Sequence, residues 1–426
     1  LNYQDNYTMA VGVEMFITGG LFYAPRKMLM ENHLTLTPGC FVGAGFDGSG
    51  GVVSFYPRPG SISFPTYFIN AGSSSFHDLQ IYTGKTCDLN GGNVTVANNL
   101  ITAGSGGYLK ISNGQLHIKR DIIINSTDYS TYSLGVAHNP GGTAMLYLDG
   151  SVQQNIIKNV TGATETSGPL GNLTIDNNNG VIISERVNIA GSLTFVNGII
   201  SPQTSGSPND VLVFDNAAVV YGASDAGYCE APVRKHMYSL PAVSFEFPVG
   251  KSGEFHPAII SSPTGGSGGY GSTNPNNYTQ FTVEYFDAAT PDPLSVSPTT
   301  FAVHNCQYWS IERNNKPTSN AKISLTWNAG TCDPTYFSTP SDLRVAQYDG
   351  TLWQNRGVNG AVGTYTYGSK IQEAIGAPVS QFITGASTYF AFCHATAPPL
   401  VISMSGTQPT CAPGTDGTVT ATVSGA

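Results

Sequence analysis

The sequence is short of charge: only 11% of its 426 residues are Asp, Glu, Lys or Arg. Helix interiors favour Ala, Leu, Glu, Lys and Arg, so a chain poor in the charged members of that set argues against a helical protein. The 18 basic residues are scattered among 27 acidic ones, for a net charge of −9. The basic stripe that a nucleic-acid partner demands is missing, and none is expected. No run approaches the roughly 18 apolar residues of a transmembrane helix, so no membrane span is expected. The seven cysteines include no CxxC pair, which removes the common zinc and thioredoxin-type arrangements. The eight histidines contain no HExxH and no i, i+4 pair, and GxSxG is absent. These gaps lead us to expect no catalytic residues and no resident cofactor.

What the chain has in quantity is turn chemistry. It carries 50 glycines and 26 prolines, with Asn, Ser and Thr clustered in stretches such as "NNNG" and "SGSPND". Such residues serve tight turns between strands. With 40% hydrophobic residues, including 22 Tyr and 20 Phe, the chain can still bury a core. The fold class is all-β. Residues 76–102 and 170–195 both run strand, Gly/Asn turn, strand, Gly/Asn turn, strand. Leu79 and Ile81 align with Leu173 and Ile175, and Val94, Val96 and Leu100 with Val187, Ile189 and Leu193. Runs this short cannot bury a face alone, so the pattern implies either a β-solenoid-like stack or repeated β-sandwiches. After about residue 221 the strands lengthen and aromatics become denser, as in "FTVEYFDAA" and "KISLTWNAG". That texture, with an Asp-Gly hairpin turn in "YDGT", implies an immunoglobulin-like sandwich. The expected organisation is an N-terminal β segment (1–75) that caps the chain or docks a partner, and a β-repeat domain (76–220). A β-sandwich (221–397) follows, then a linker with the opening of a further β repeat (398–426).

Several stretches carry a resemblance: "GYCEAPVRKHMYSLPAVSFEFPVGKSGEFHP", "YWSIER", "LTWNAG", "DLRVAQYDGTLW" and "VSQFITG", in that order. Together they resemble a domain of very large exported surface proteins of Bacteroidota. The tail, in which Cys411 precedes "GTDGTVTATVSG", resembles the start of an SprB repeat, named for the giant gliding adhesin of flavobacteria. The resemblance covers residues 221–426, and 76–220 in style only. It implies type IX secretion, an extracellular cell-surface location on the outer membrane, and a chain that is a fragment of something longer. It implies an adhesive, structural role, with gliding motility as the specific case. The implied partners are a polysaccharide or solid surface and other subunits of an adhesin complex. The alternative from a different class is a β-helix protein that binds or cleaves polysaccharide, which a pocket lined by two or more carboxylates would favour.

A few residues merit individual weighing. Gly250-Lys251-Ser252 echoes a phosphate loop, but GxxxxGK[ST] would need glycine where Phe245 stands, so a hairpin turn at "KSGE" is expected. Arg234 and Lys235, beside His236, form the densest basic cluster and read as a solvated strand edge or a surface contact. Trp309 and Trp327 read as core, and Trp353, near the Asp-Gly hairpin, as the tryptophan open to a surface contact. Cys306 and Cys332, each bordering a Trp-containing strand, are the expected disulfide. Asp176 in "DNNNG" stands as a calcium-loop candidate, although Gly180 takes the third ligand position and a side-chain-bonded turn is the default. His77 and Asp78 are adjacent, and strand alternation would point them to opposite sides.

Overall fold

The computed structural model describes eight short strands from Thr8 to Asn70. Beyond them it describes residues 73–82, 86–104, 108–126, 135–138, 144–159, 170–239, 243–266, 277–297, 301–316, 319–327, 343–365, 368–373, 387–394, 401–407 and 418–424. These residues are all-β, with no α-helix among them.

Up to residue 237 the strands pair in parallel and visit three faces in fixed rotation. Thr8–Val11, Met15–Ile17 and Leu21–Ala24 occupy the first, second and third face, and Lys27–Met30, Leu34–Leu36 and Phe41–Ala44 repeat the order. Each circuit uses roughly 20–35 residues, within the span of stacked structural repeats. Register then places like upon like. On the first face Leu79, Leu100, Ile122, Ile156 and Ile183 form one unbroken row. On the third, Val94, Leu116, Leu146, Leu173 and Leu193 form a row, with Val96, Ile118, Leu148, Ile175 and Phe195 beside it. Apart from Leu146, at 2%, and Phe195, at 3%, all are 0% exposed. Burying each such side chain contributes about 1.5–3 kcal/mol, so a circuit is stabilised chiefly by the circuits above and below it.

Corners between faces are made by glycines and by side-chain amides. Gly198 has φ +110°, and a Cβ there would lie 2.2 Å from the Asn177 carbonyl oxygen, so only glycine fits that corner. Gln154 is fully buried and donates to the carbonyls of Ile118 and Arg120, while its own oxygen accepts from Gly150 N–H. Inward amides of this kind satisfy corner backbone groups that no strand partner reaches.

The rotation differs from the sequence expectation in two ways. Leu79 and Ile81 lie on the first face, whereas Leu173 and Ile175 lie on the third, so the two similar segments are out of phase by a face. Every face has the same apolar alternation, and pattern matching cannot tell one from another. The strands between Thr8 and Asn70 join the same ladders as those after residue 75, so the sheets show no break at that expected boundary.

The antiparallel part grows from the stack without interruption. Val187–Ile189 and Leu212–Phe214, on the second face, are followed in parallel by Val233–Met237. The far edge of Val233–Met237 then pairs antiparallel with Thr279–Phe286, and the sheet continues through Tyr308–Arg313, Ser387–His394 and Leu343–Tyr348. A second antiparallel sheet holds Ser244–Phe247, Ala258–Ser261, Lys322–Trp327, Gly368–Glu373 and Gly357–Tyr365. Phe245, Phe247 and Ile260 from that sheet share one apolar cluster with Phe281, Trp309 and Ile311 from the first. Val401–Thr407 and Thr418–Ser424 form a separate hairpin.

Candidate functional site at the sheet junction

The stretch 228–257 is the physical joint between the two kinds of sheet. Cys229 continues the first face by bridging Ile200 on one side and Val249 on the other, both in parallel. Burial pushes its thiol pKa up, and it is a free cysteine. The "GKSG" letters make a two-residue hairpin: Lys251 pairs with Glu254, and Ser252 and Gly253 turn with φ of 57° and 89°. Both central residues at positive φ is the type I′ geometry that suits tight hairpins. Tyr228 OH accepts from Gly253 N–H at 2.8 Å, and burial raises its pKa to about 12. His256, buried behind the turn, contacts Glu254 Oε2 at 2.9 Å, and its carbonyl accepts from Trp309 Nε1 at 2.9 Å. Nothing in this geometry resembles a phosphate cradle.

Arg234, Lys235 and His236 are where the structure departs most from the sequence reading. They sit on a central strand and are 7%, 4% and 2% exposed, so they form no solvated edge; Lys235 is not a surface contact, and Arg234 reaches only the lining of a groove. Each is held by named partners. Arg234 Nε donates to Thr282 Oγ1 at 2.8 Å. Lys235 Nζ donates to the carbonyls of Asp215, Asn216 and Ala218 and lies 4.7 Å from the centre of the Phe245 ring. Burial draws the lysine pKa down to about 7, and Asp215 opposes the shift. Three carbonyl acceptors call for three N–H donors, which only the ammonium form has, so we assign the charged form at neutral pH. His236 Nδ1 lies 3.8 Å from Asp215 Oδ1 and its ring stacks on Tyr278, whose hydroxyl accepts from Asn216 Nδ2. The turn 215–218 joins Leu212–Phe214 to Val219–Tyr221 at the end of the stack. Lys235, His236 and Tyr278 therefore clasp the last circuit of the stack to the antiparallel sheet.

The junction sheet also carries a polar groove of about 390 Å3. One cross-strand row runs Arg234, Thr282, Glu312, Ser387, and the neighbouring row pairs Glu284 with Ser310. Arg186 and the Ser207–Asn209 turn of the stack line its other side. Burial raises the Glu284 carboxyl above its ordinary pKa, and Lys251 opposes that. Glu284, Glu312, Ser310 and Arg186 were not singled out in the sequence. The available signal was a Glu interrupting an apolar strand, in "FTVEYF" and in "YWSIER".

The other expected site residues are scattered. Trp353 is 0% exposed and donates from Nε1 to the Pro291 carbonyl, so it is core rather than a surface contact. Trp309 and Trp327 are buried as expected, at 0% and 9%. Cys306 is disulfide-bonded, and Cys332, its expected partner, lies outside the described residues. Asp176 accepts from Asn197 Nδ2, while Asn177 Oδ1 accepts from Asn179 N–H to close the "DNNNG" turn. His77 and Asp78 do meet, at 3.0 Å, because His77 sits at the bend between Ser75–Phe76 and Asp78–Tyr82, where strand alternation does not apply. No three or more His, Cys, Asp or Glu side chains gather as a metal site among the described residues. No protein-family model, curated protein or solved structure matches the chain.

Proposed function

We propose that the chain is a structural and adhesive segment of a long surface protein. In it a β-solenoid, formed by the parallel circuits up to residue 237, passes into an immunoglobulin-like sandwich and then a further β repeat. The observation that supports this reading best is the junction strand Val233–Met237, hydrogen-bonded in parallel to the stack and antiparallel to the next sheet. A load along the chain then passes through strand ladders and a buried clasp rather than through a free linker. Export by type IX secretion, attachment at the outer surface and gliding motility belong to the same reading and rest on the sequence resemblance. The partner is a polysaccharide or a solid surface, engaged beside other adhesin subunits.

Beads coated with this chain and held under flow on glass and on polysaccharide-coated glass test the reading. Retention above that of albumin-coated beads is expected on at least one surface, and detachment equal to that of albumin-coated beads on both would overturn adhesion.

A second reading, polysaccharide recognition by a defined pocket, is favoured by the two carboxylates in the junction groove. Both carboxylates of the groove lie on the antiparallel extension, and the stack, where the sequence would have placed the site, supplies only its other wall.

A further inference from the structure

We propose that the junction groove binds an uncharged, hydroxyl-rich saccharide of one or two sugar rings, with Glu284 and Glu312 accepting from its hydroxyls and Arg186 and Arg234 donating to them. The inference deepens the adhesive reading and rests on it, by naming the contact made with a polysaccharide.

The groove is built rather than incidental. Thr282 lies between Arg234 and Glu312 in the cross-strand row. Its hydroxyl accepts from Arg234 Nε and donates to Asn314 Oδ1 at 2.7 Å, which fixes the floor. Ser310 is 9% exposed and pairs across from Glu284, placing a hydroxyl beside each carboxylate. Among the described residues, no side-chain hydrogen bond or salt bridge engages the Glu284 or Glu312 carboxylate. Glu284 is half-buried, and partial desolvation of a carboxylate without such a partner is costly, which is the state a ligand's donors would relieve.

Composition selects the ligand. Two arginines and two glutamates leave the groove with no net formal charge. A polyanion is opposed by the carboxylates and a divalent cation by the guanidiniums. No aromatic ring lines the groove, so an apolar ligand gains little there. A sugar hydroxyl both donates and accepts, and a ring bearing adjacent hydroxyls can use both kinds of wall at once. Neighbouring strands about 4.8 Å apart put the backbones at Arg234 and Glu312, two strands apart, roughly 10 Å from one another, wide enough for a sugar ring to lie over the Thr282 floor. The volume of about 390 Å3 falls in the range of small-ligand sites.

Saturation-transfer NMR on the whole chain with glucose, galactose, mannose, N-acetylglucosamine and cellobiose tests the proposal, followed by calorimetric titration of any sugar that responds. At least one sugar should receive saturation. Glu312→Gln and Glu284→Gln should each weaken it about tenfold or more, the loss expected for a charge-assisted hydrogen bond. Asp176→Asn, which does not line the groove, should leave it unchanged, and thermal unfolding of each variant checks the fold. The proposal is overturned if no sugar responds, if binding survives both glutamate changes, or if calcium chloride alone titrates the groove while the sugars do not. Sugar binding without bead retention would remove the adhesive reading and keep the groove. Retention without sugar binding would do the reverse.

Discussion

Replacing Lys235 with methionine tests whether the clasp holds the stack to the antiparallel sheet. Methionine keeps most of the buried volume and removes the ammonium. The Asp215 carbonyl retains a partner, since it also accepts from Ala218 N–H. The Asn216 and Ala218 carbonyls lose the lysine donor. An acceptor left short of a partner in the interior costs about 1–3 kcal/mol. Two of them give about 2–6 kcal/mol, and the lysine's own desolvation, no longer incurred, offsets part of it. We expect a net loss of about 3 kcal/mol. For a cooperative unit of roughly 150–250 residues, 1 kcal/mol moves the Tm by about 2–4 °C, so the midpoint should fall by about 6–12 °C. Calorimetric melting at neutral pH reads this directly. Limited proteolysis should show earlier cleavage near residues 215–218. A midpoint within 2 °C of the parent, with unchanged cleavage, would show that the lysine does not hold the joint.

Other outcomes follow from the same geometry. His304 is fully buried, and burial together with the neighbouring His394 holds its pKa down to about 3. A histidine in the unfolded chain titrates near 6.5, so between about 6.5 and 3 the unfolded state binds the extra proton and stability falls as the pH drops. The loss is about 2 kcal/mol at pH 5, measured by urea midpoints, and His304→Phe should flatten that acid limb; an unaltered limb would count against it. Leu148→Ala, in the middle of a buried row, should cost about 2–5 kcal/mol, and a loss under 1 kcal/mol would contradict the stacked core. Gly198→Ala should lower the thermal midpoint by several degrees, because the new Cβ meets the Asn177 carbonyl oxygen and φ is positive. Tyr228→Phe should lose about 0.5–1.5 kcal/mol with the Gly253 hydrogen bond, and an unshifted midpoint would show that water replaces it.

What could be read from the sequence depended on whether the signal was local. The hairpin at "KSGE" was legible because Lys251 through Glu254 specify the turn by themselves. Trp309 in the core was legible because the strand around it alternates. The phase of the similar segments was not legible, since Leu79 and Leu173 occupy different faces with the same local pattern. Trp353 and Arg234 misled for a common reason: a hairpin position or a charge suggests exposure, and only a distant partner such as Pro291 or Thr282 shows otherwise. The groove escaped notice because its residues lie far apart in sequence, from Arg186 to Ser387.

Composition alone makes this an all-β chain, because scarce charge, abundant turn residues and short apolar runs leave no helical solution. Through its resemblance the sequence also marked the stretch from Gly227 to Pro257 as distinctive, without saying why. That this stretch is a joint, that its basic residues are buried, and which carboxylates share a groove emerge only from long-range strand pairing. Strand propensity and turn chemistry act over a few residues and are written locally. Register between strands many residues apart depends on which buried rows stack together, and that is settled only when the whole chain folds.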